Sequence, residues 1–189
     1  MTCTVHLDVD GEILAAREPC YPQDANVLAS TVLLVGESNP YGADPEFALY
    51  SRPNGCSGHR LQSRILELQE EQYLAIWRTN LCVGDWNLQA ARLRASQLVS
   101  DSAPWRCVIM LGSKVASAFT YQRGILTSGA IATAARRFRV AHLPHPSGRN
   151  ARFHDERCIE TTRSLFWTVV VGDTSARRSR NLVAPIEET

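Results

Sequence analysis

The sequence predicts an α/β fold: a three-layer αβα sandwich around a central, mainly parallel four-stranded sheet. Two observations carry that expectation. Short apolar runs rich in Val, Ile and Leu recur along the chain, and between them lie segments whose apolar residues fall three and four apart. The first pattern marks strands and the second amphipathic helices. Strands that read as continuously apolar, rather than alternating, are buried on both faces, as parallel sheets covered by helices require. A third observation is length, since 189 residues suit one domain that buries about 70% of its unfolded surface.

The elements follow in order. Residues 32–35, Val-Leu-Leu-Val, form a buried strand that Gly36 ends, and a loop rich in Pro, Gly, Asn and Asp continues through Tyr50 to Gly58. Leu61, Ile65 and Leu68 place a helix over residues 60–69. Residues 74–81 read as the second strand. Leu88, Ala91, Ala95 and Leu98 place the second helix over 88–98. The run Cys-Val-Ile-Met-Leu at 107–111 is the third strand; it stops at Gly112, and Ser113 can cap a helix reaching Phe119. Residues 138–143 form the fourth strand, and a last helix covers about 159–170. The segment before Thr31 reads as one strand or a short helix. A single domain therefore spans 1–172, followed by a polar, Arg-rich tail at 173–189 that is expected to be flexible.

Composition narrows the class without fixing it. Hydrophobic residues make up 44% and charged residues 21%, ordinary for a globular chain, and a net charge of +1 gives no nucleic-acid signal of its own. Lys114 is the only lysine; every other basic side chain is arginine. The six cysteines are scattered with no Cys-x-x-Cys pair, so neither a metal site nor disulfide staples are expected. The N-terminus lacks a basic start and an apolar run, and the longest apolar stretch is too short to cross a bilayer. These features predict a reduced, cytoplasmic, monomeric protein without a membrane segment.

In open parallel sheets, ligands bind where loops leave the carboxyl ends of the strands. Three such loops stand out. The first reads Gly36-Glu37-Ser38-Asn39-Pro40-Tyr41-Gly42, which by itself is an ordinary turn. The second, Thr79-Asn80-Leu81-Cys82, offers one carboxamide that could equally be a cap. The third, Leu143-Pro144-His145-Pro146-Ser147-Gly148-Arg149-Asn150, flanks an imidazole with two prolines, which stiffen the backbone around it.

Taken together and in this order, the three loops resemble the motif set of the uracil-DNA glycosylase superfamily. His145 to Asn150 is similar to the His-Pro-Ser-Pro-Arg-Asn loop of its single-strand-selective branch and the Asn-Pro-Ser-Gly loop of its mismatch-specific branch. Asn39-Pro40 resembles the Gly-x-Asn-Pro-Gly water-positioning loop of the same branches, with one extra residue here. Asn39-Pro40-Tyr41 also resembles the Asp-Pro-Tyr of the founding uracil-specific enzymes, with Asn in place of Asp. Thr79-Asn80, the stretch from Gly55 to Leu61, and Val108 to Ala116 are similar to the iron–sulfur branch, whose four cluster cysteines have no counterpart in spacing here.

The resemblance implies a uracil-DNA glycosylase-like fold and a monofunctional DNA glycosylase that extrudes a pyrimidine from DNA and hydrolyses its N-glycosidic bond, without a cofactor. It would leave an abasic site. His145 would donate a hydrogen bond to the base O2, where leaving-group charge gathers, and Asn39 would position the attacking water. Glu37 is a candidate general base. Asn80 would read the Watson–Crick edge, Phe47 or Tyr50 would stack on the base, and Tyr41 would limit 5-substituents. Arg149 would fill the gap in the base stack, while Ser147, Gly148, Asn150 and Arg152 would hold DNA phosphates. The substrate would be uracil or a damaged pyrimidine in repair, or a modified phage pyrimidine, such as hydroxymethylated or glucosylated cytosine, in antiviral defence. Two alternatives remain: a catalytically silent module that binds extruded bases, and a nucleotide-binding domain. The latter lacks a Gly-x-Gly-x-x-Gly or Walker motif.

Overall fold

A computed structural model describes residues 6–7, 13–14, 28, 30–39 and 47–172. Two short antiparallel strands, β1 (His6–Leu7) and β2 (Ile13–Leu14), pair with each other. The main sheet contains β3 (Val32–Asn39), β4 (Trp77–Val83), β5 (Cys107–Leu111), β6 (Thr127–Ala132) and β7 (Arg137–Leu143) in the order β4-β3-β5-β7-β6. All pairings are parallel except β6 with β7. The architecture is an α/β fold with a five-stranded, mostly parallel sheet. The expected count of four strands is corrected by β6. Its sequence, Thr-Ser-Gly-Ala-Ile-Ala, is small and half-exposed, and it is held at the sheet edge by pairing with β7 rather than by an apolar run of its own.

Alternate residues of the central strands enter two separate cores. Leu34, Ile109, Leu111 and Leu143 face one side, where they pack with Ile159, Phe166 and Val170 of α5 (Glu156–Val171). Leu33, Val35, Val108 and Met110 face the other, against Ala91, Ala95 and Leu98 of α3 (Leu88–Leu98) and Val115 of α4 (Ser113–Ala118). A sheet wetted on neither face needs helices on both, and this arrangement is compatible with three layers. Each fully buried Leu or Ile there stabilises the fold by about 1.5–3 kcal/mol.

Local chemistry explains where the expected boundaries move. Helix α1 (Ser57–Arg60) begins before the expected 60–69 segment and runs into a π-helical turn, Leu61–Leu66, which Glu67 ends in the left-handed conformation. Residues 74–75, expected to open a strand, instead finish α2 (Glu70–Ala75), which Gln69 and Gln72 start with a reciprocal capping box. Helix α3 has its expected bounds, capped by Asn87 Oδ1 accepting from the Ala90 N–H at 2.9 Å. Ser113 is not the cap of α4: Gly112 holds that position at φ 99°, and Ser113 is the first helical residue. Asp155 accepts from the Arg157 N–H and starts α5 three residues earlier than expected.

Gly36 does not end β3 as expected, and the strand continues to Asn39. Gly36, Ser38 and Asn39 pair in register with Asn80, Cys82 and Val83 of β4. Among the described residues no helix is long and apolar enough to cross a membrane. Tyr41 and the tail at 173–189 lie outside the described residues.

Candidate functional site

The carboxyl ends of β3, β4 and β7 converge on a cleft of about 460 Å³. Glu37, Asn39, Asn80, His145, Phe47 and Tyr50 all line it, so residues spread over more than a hundred positions of sequence meet at one sheet edge. That volume falls within the range of small-molecule sites.

Glycines set how closely the pieces approach. Asn80 lies over Gly36, where a β-carbon would come within 2.1 Å of the Asn80 Oδ1. Any side chain at 36 would therefore displace the carboxamide. Among the described residues the Asn80 side chain has no hydrogen-bond partner, so its donor and its acceptor both remain for a ligand. Asn39, the last residue of β3, is only 4% exposed although it lines the cleft.

His145 is held by its own loop. Pro144 and Pro146 are buried on either side of it. The Asn150 amide donates to the His145 carbonyl at 2.8 Å, and the Ser147 N–H donates to Nδ1 at 3.2 Å. A nitrogen that accepts cannot carry the proton, so the neutral ring holds it on Nε2. Burial pushes the His145 pKa below the ordinary imidazole value; the nearby Glu37 carboxylate opposes the shift and the Lys114 ammonium adds to it. The ring is therefore an uncharged donor. Gly112 permits this packing, since a β-carbon there would stand 3.2 Å from the His145 Cβ and 3.3 Å from the Glu37 Oε1.

A pH dependence follows with a definite sign. Because the fold disfavours the imidazolium, protonating His145 takes more acid than protonating a free imidazole. Any activity that needs the neutral ring is expected to hold as pH falls through about 6.5 and to decline only below it. A pH profile of turnover with its acid midpoint at or above that value would contradict the assignment.

Glu37 accepts from Lys114 Nζ at 3.1 Å, and the same ammonium sits 5.7 Å from the Trp86 ring centroid. Lys114, on α4, does not line the cleft but pairs with a residue that does; sequence reading missed it, and its being the sole lysine was the one available signal.

The far wall comes from residues 47–58. Phe47 and Tyr50 meet edge to face at 6.2 Å between centroids and remain 49% and 36% exposed, unusual for rings with only a packing role. Their backbone is anchored by the Tyr73 hydroxyl donating to the Leu49 carbonyl at 2.7 Å and the Cys56 thiol donating to the Tyr50 carbonyl at 3.1 Å. Gly58 lies under the same turn: a β-carbon on it would fall 2.1 Å from the Tyr50 carbonyl oxygen. Ser38, Leu49, Arg52, Cys56, Ser57 and Gly58 also line the cleft and were given no role from sequence.

The residues expected to hold DNA divide differently. Ser147, Gly148 and Asn150 face a second cleft beside the first, whereas Arg149 and Arg152 are exposed and line neither. Both ends of the Asn150 carboxamide are engaged within the chain, with His145 and with the Arg152 N–H, so that side chain shapes the loop. Among the described residues, no group of three or more His, Cys, Asp or Glu side chains could hold a metal ion.

No family model matches the sequence, and no curated protein is significantly similar to it.

Proposed function

We propose that the chain is a monofunctional DNA glycosylase with a uracil-DNA glycosylase-like fold, hydrolysing the N-glycosidic bond of a pyrimidine extruded into this cleft. The convergence of His145, Asn39, Asn80 and two exposed aromatic rings on one cleft is the observation that carries the reading. Cleaving the bond leaves positive charge on the sugar and negative charge on the base. A neutral Nε2–H on a ring that lines the cleft can stabilise the charge gathering on O2, and it does so without first losing a proton. Asn39 holds the water by its side-chain carbonyl; an amide takes up no proton at neutral pH, so its contribution is positional. Glu37, beside His145 and paired with Lys114, is the carboxylate available to receive the proton of the water. Phe47 or Tyr50 stacks on the ring.

Asn80 discriminates among bases by the orientation of its carboxamide. For a uracil edge, its N–H₂ donates to O4 and its carbonyl accepts from N3–H; for a cytosine edge the amide turns over. Asn80→Asp leaves only acceptors, which repel O4. Release of uracil-type bases is expected to fall roughly tenfold to a hundredfold relative to cytosine-type bases. Unchanged selectivity in a competition assay would mean that the base is read elsewhere.

The substrate is either uracil or a damaged pyrimidine, as in repair, or a modified phage pyrimidine, as in defence. A second reading, a silent module that binds extruded bases, is favoured by the ion pair that occupies Glu37 and by the amide at position 39. Alkali treatment separates the two. A glycosylase leaves abasic sites that alkali converts to strand breaks, whereas a silent module binds DNA and leaves it alkali-stable.

A further inference from the structure

A second cleft, about 470 Å³, lies against the base cleft across a shared rim. The same two chain segments build both walls. Cys56, Ser57 and Gly58 face the first cleft while Gly55, His59 and Arg60 face the second; His145 faces the first while Pro146, Ser147 and Gly148 face the second. A chain lying across the rim would place neighbouring chemical units in adjacent clefts.

The second cleft has a different chemistry. Arg60, Arg64, His59 and His154 line it together with Ser63 and Ser147, and among the described residues no acidic side chain does. Among the described residues neither Arg60 nor Arg64 takes part in an ion pair, although the nearby Arg163 and Arg52 are paired with Glu67 and Glu70. The Arg60 guanidinium is clamped between the walls. Its Nε donates to the Gly55 carbonyl at 2.9 Å, and it rests on Gly148, where a β-carbon would come within 2.0 Å of Nη1. Arg64 is exposed and unclamped, one turn further along. A clamped guanidinium beside a second, exposed one, with the Ser63 and Ser147 hydroxyls and no acid among the described lining residues, suits a phosphate oxyanion rather than a neutral or cationic ligand.

We propose that this cleft binds a backbone phosphodiester of the DNA strand whose base enters the first cleft, with Arg64 and the clamped Arg60 as its cationic ligands. The inference rests on the reading that the chain acts on DNA. It gives the strand a path: base into the Asn80–His145 cleft, adjoining phosphate over the rim onto Arg60 and Arg64. A side chain at position 148 would push the Arg60 guanidinium out of this contact.

Salt dependence of binding tests it, using the full chain and fluorescent single-stranded DNA with and without a 5′-phosphate. Each neutralised phosphate contributes about 0.7 to the slope of log affinity against log salt on single strands. Arg64→Gln is expected to weaken binding and flatten that slope by about one phosphate, equally for both DNAs. Ser63→Glu, which puts a carboxylate into the cleft from an exposed position, is expected to weaken binding at least as much. Arg92→Gln, on the exposed face of α3, is expected to leave the slope unchanged. An unchanged slope in Arg64→Gln, or an equal change in Arg92→Gln, would overturn the proposal; so would an effect confined to 5′-phosphorylated DNA, which would make the site one for chain ends. Wild-type chain that binds no DNA at all overturns this inference and the glycosylase reading together. Normal base release with an unaltered Arg64→Gln slope overturns only the former, and a flattened slope without base release only the latter.

Discussion

His145→Ala is expected to lower base release by about two orders of magnitude or more while the chain stays folded. On the proposed mechanism, the magnitude comes from removing a preorganised donor to the oxygen where charge develops in the transition state. In the ground state the base O2 is a weak partner for Nε2–H; as the glycosidic bond stretches, O2 becomes anionic and the hydrogen bond strengthens. The loss should therefore fall on kcat more than on KM. Folding is expected to survive because the loop does not depend on the imidazole. Pro144 and Pro146 set its backbone, and the Asn150 amide ties it through the main-chain carbonyl of residue 145, which alanine retains. Near-normal turnover in the alanine variant, with an unchanged circular dichroism spectrum, would remove His145 from the chemistry.

Asn39→Ala is expected to have an effect of similar size by a different route. Holding water against the sugar carbon converts a bimolecular encounter into an intramolecular one, and such positioning can supply several kcal/mol. The variant should keep its affinity for DNA, because the phosphate and stacking groups lie elsewhere, and should lose turnover. Asn39 is also buried at the end of β3, so truncation is expected to cost about 1 kcal/mol of stability. Thermal melting alongside the two assays separates these effects. Parallel loss of binding, turnover and melting temperature would assign Asn39 to the fold instead.

The parts of the molecule that were legible in sequence share a physical property: each announces itself within a few residues. The run at 107–111 is apolar throughout and its bounds match β5; the spacing of Leu88, Ala91, Ala95 and Leu98 matches α3. Pro144 and Pro146 marked the His145 loop in the same local way. What was missed depends on partners distant in the chain. β6 exists because β7 supplies its hydrogen bonds, not because Thr-Ser-Gly-Ala-Ile-Ala prefers to be extended. Gly36 looked like a strand terminator, yet it serves a strand interior, giving up its side chain to Asn80 of the neighbouring strand. The Lys114–Glu37 pair joins residues 77 positions apart, and the wall carrying Phe47 and Tyr50 sits where it does because Gly58 lets two backbone segments nearly touch. Periodicity contains none of this. The loops were legible as candidates, and only the parallel order of β4, β3, β5 and β7 brings them to the same edge.

Mass spectrometry of free bases released from a panel of DNAs containing uracil, hydroxymethyluracil, hydroxymethylcytosine and glucosylated cytosine addresses the chemistry itself. The wild-type chain is expected to liberate one class of pyrimidine as the intact base, and His145→Ala and Asn39→Ala are expected to liberate little or none under the same conditions. Wild-type chain that binds these DNAs yet frees no base from any of them would contradict the account.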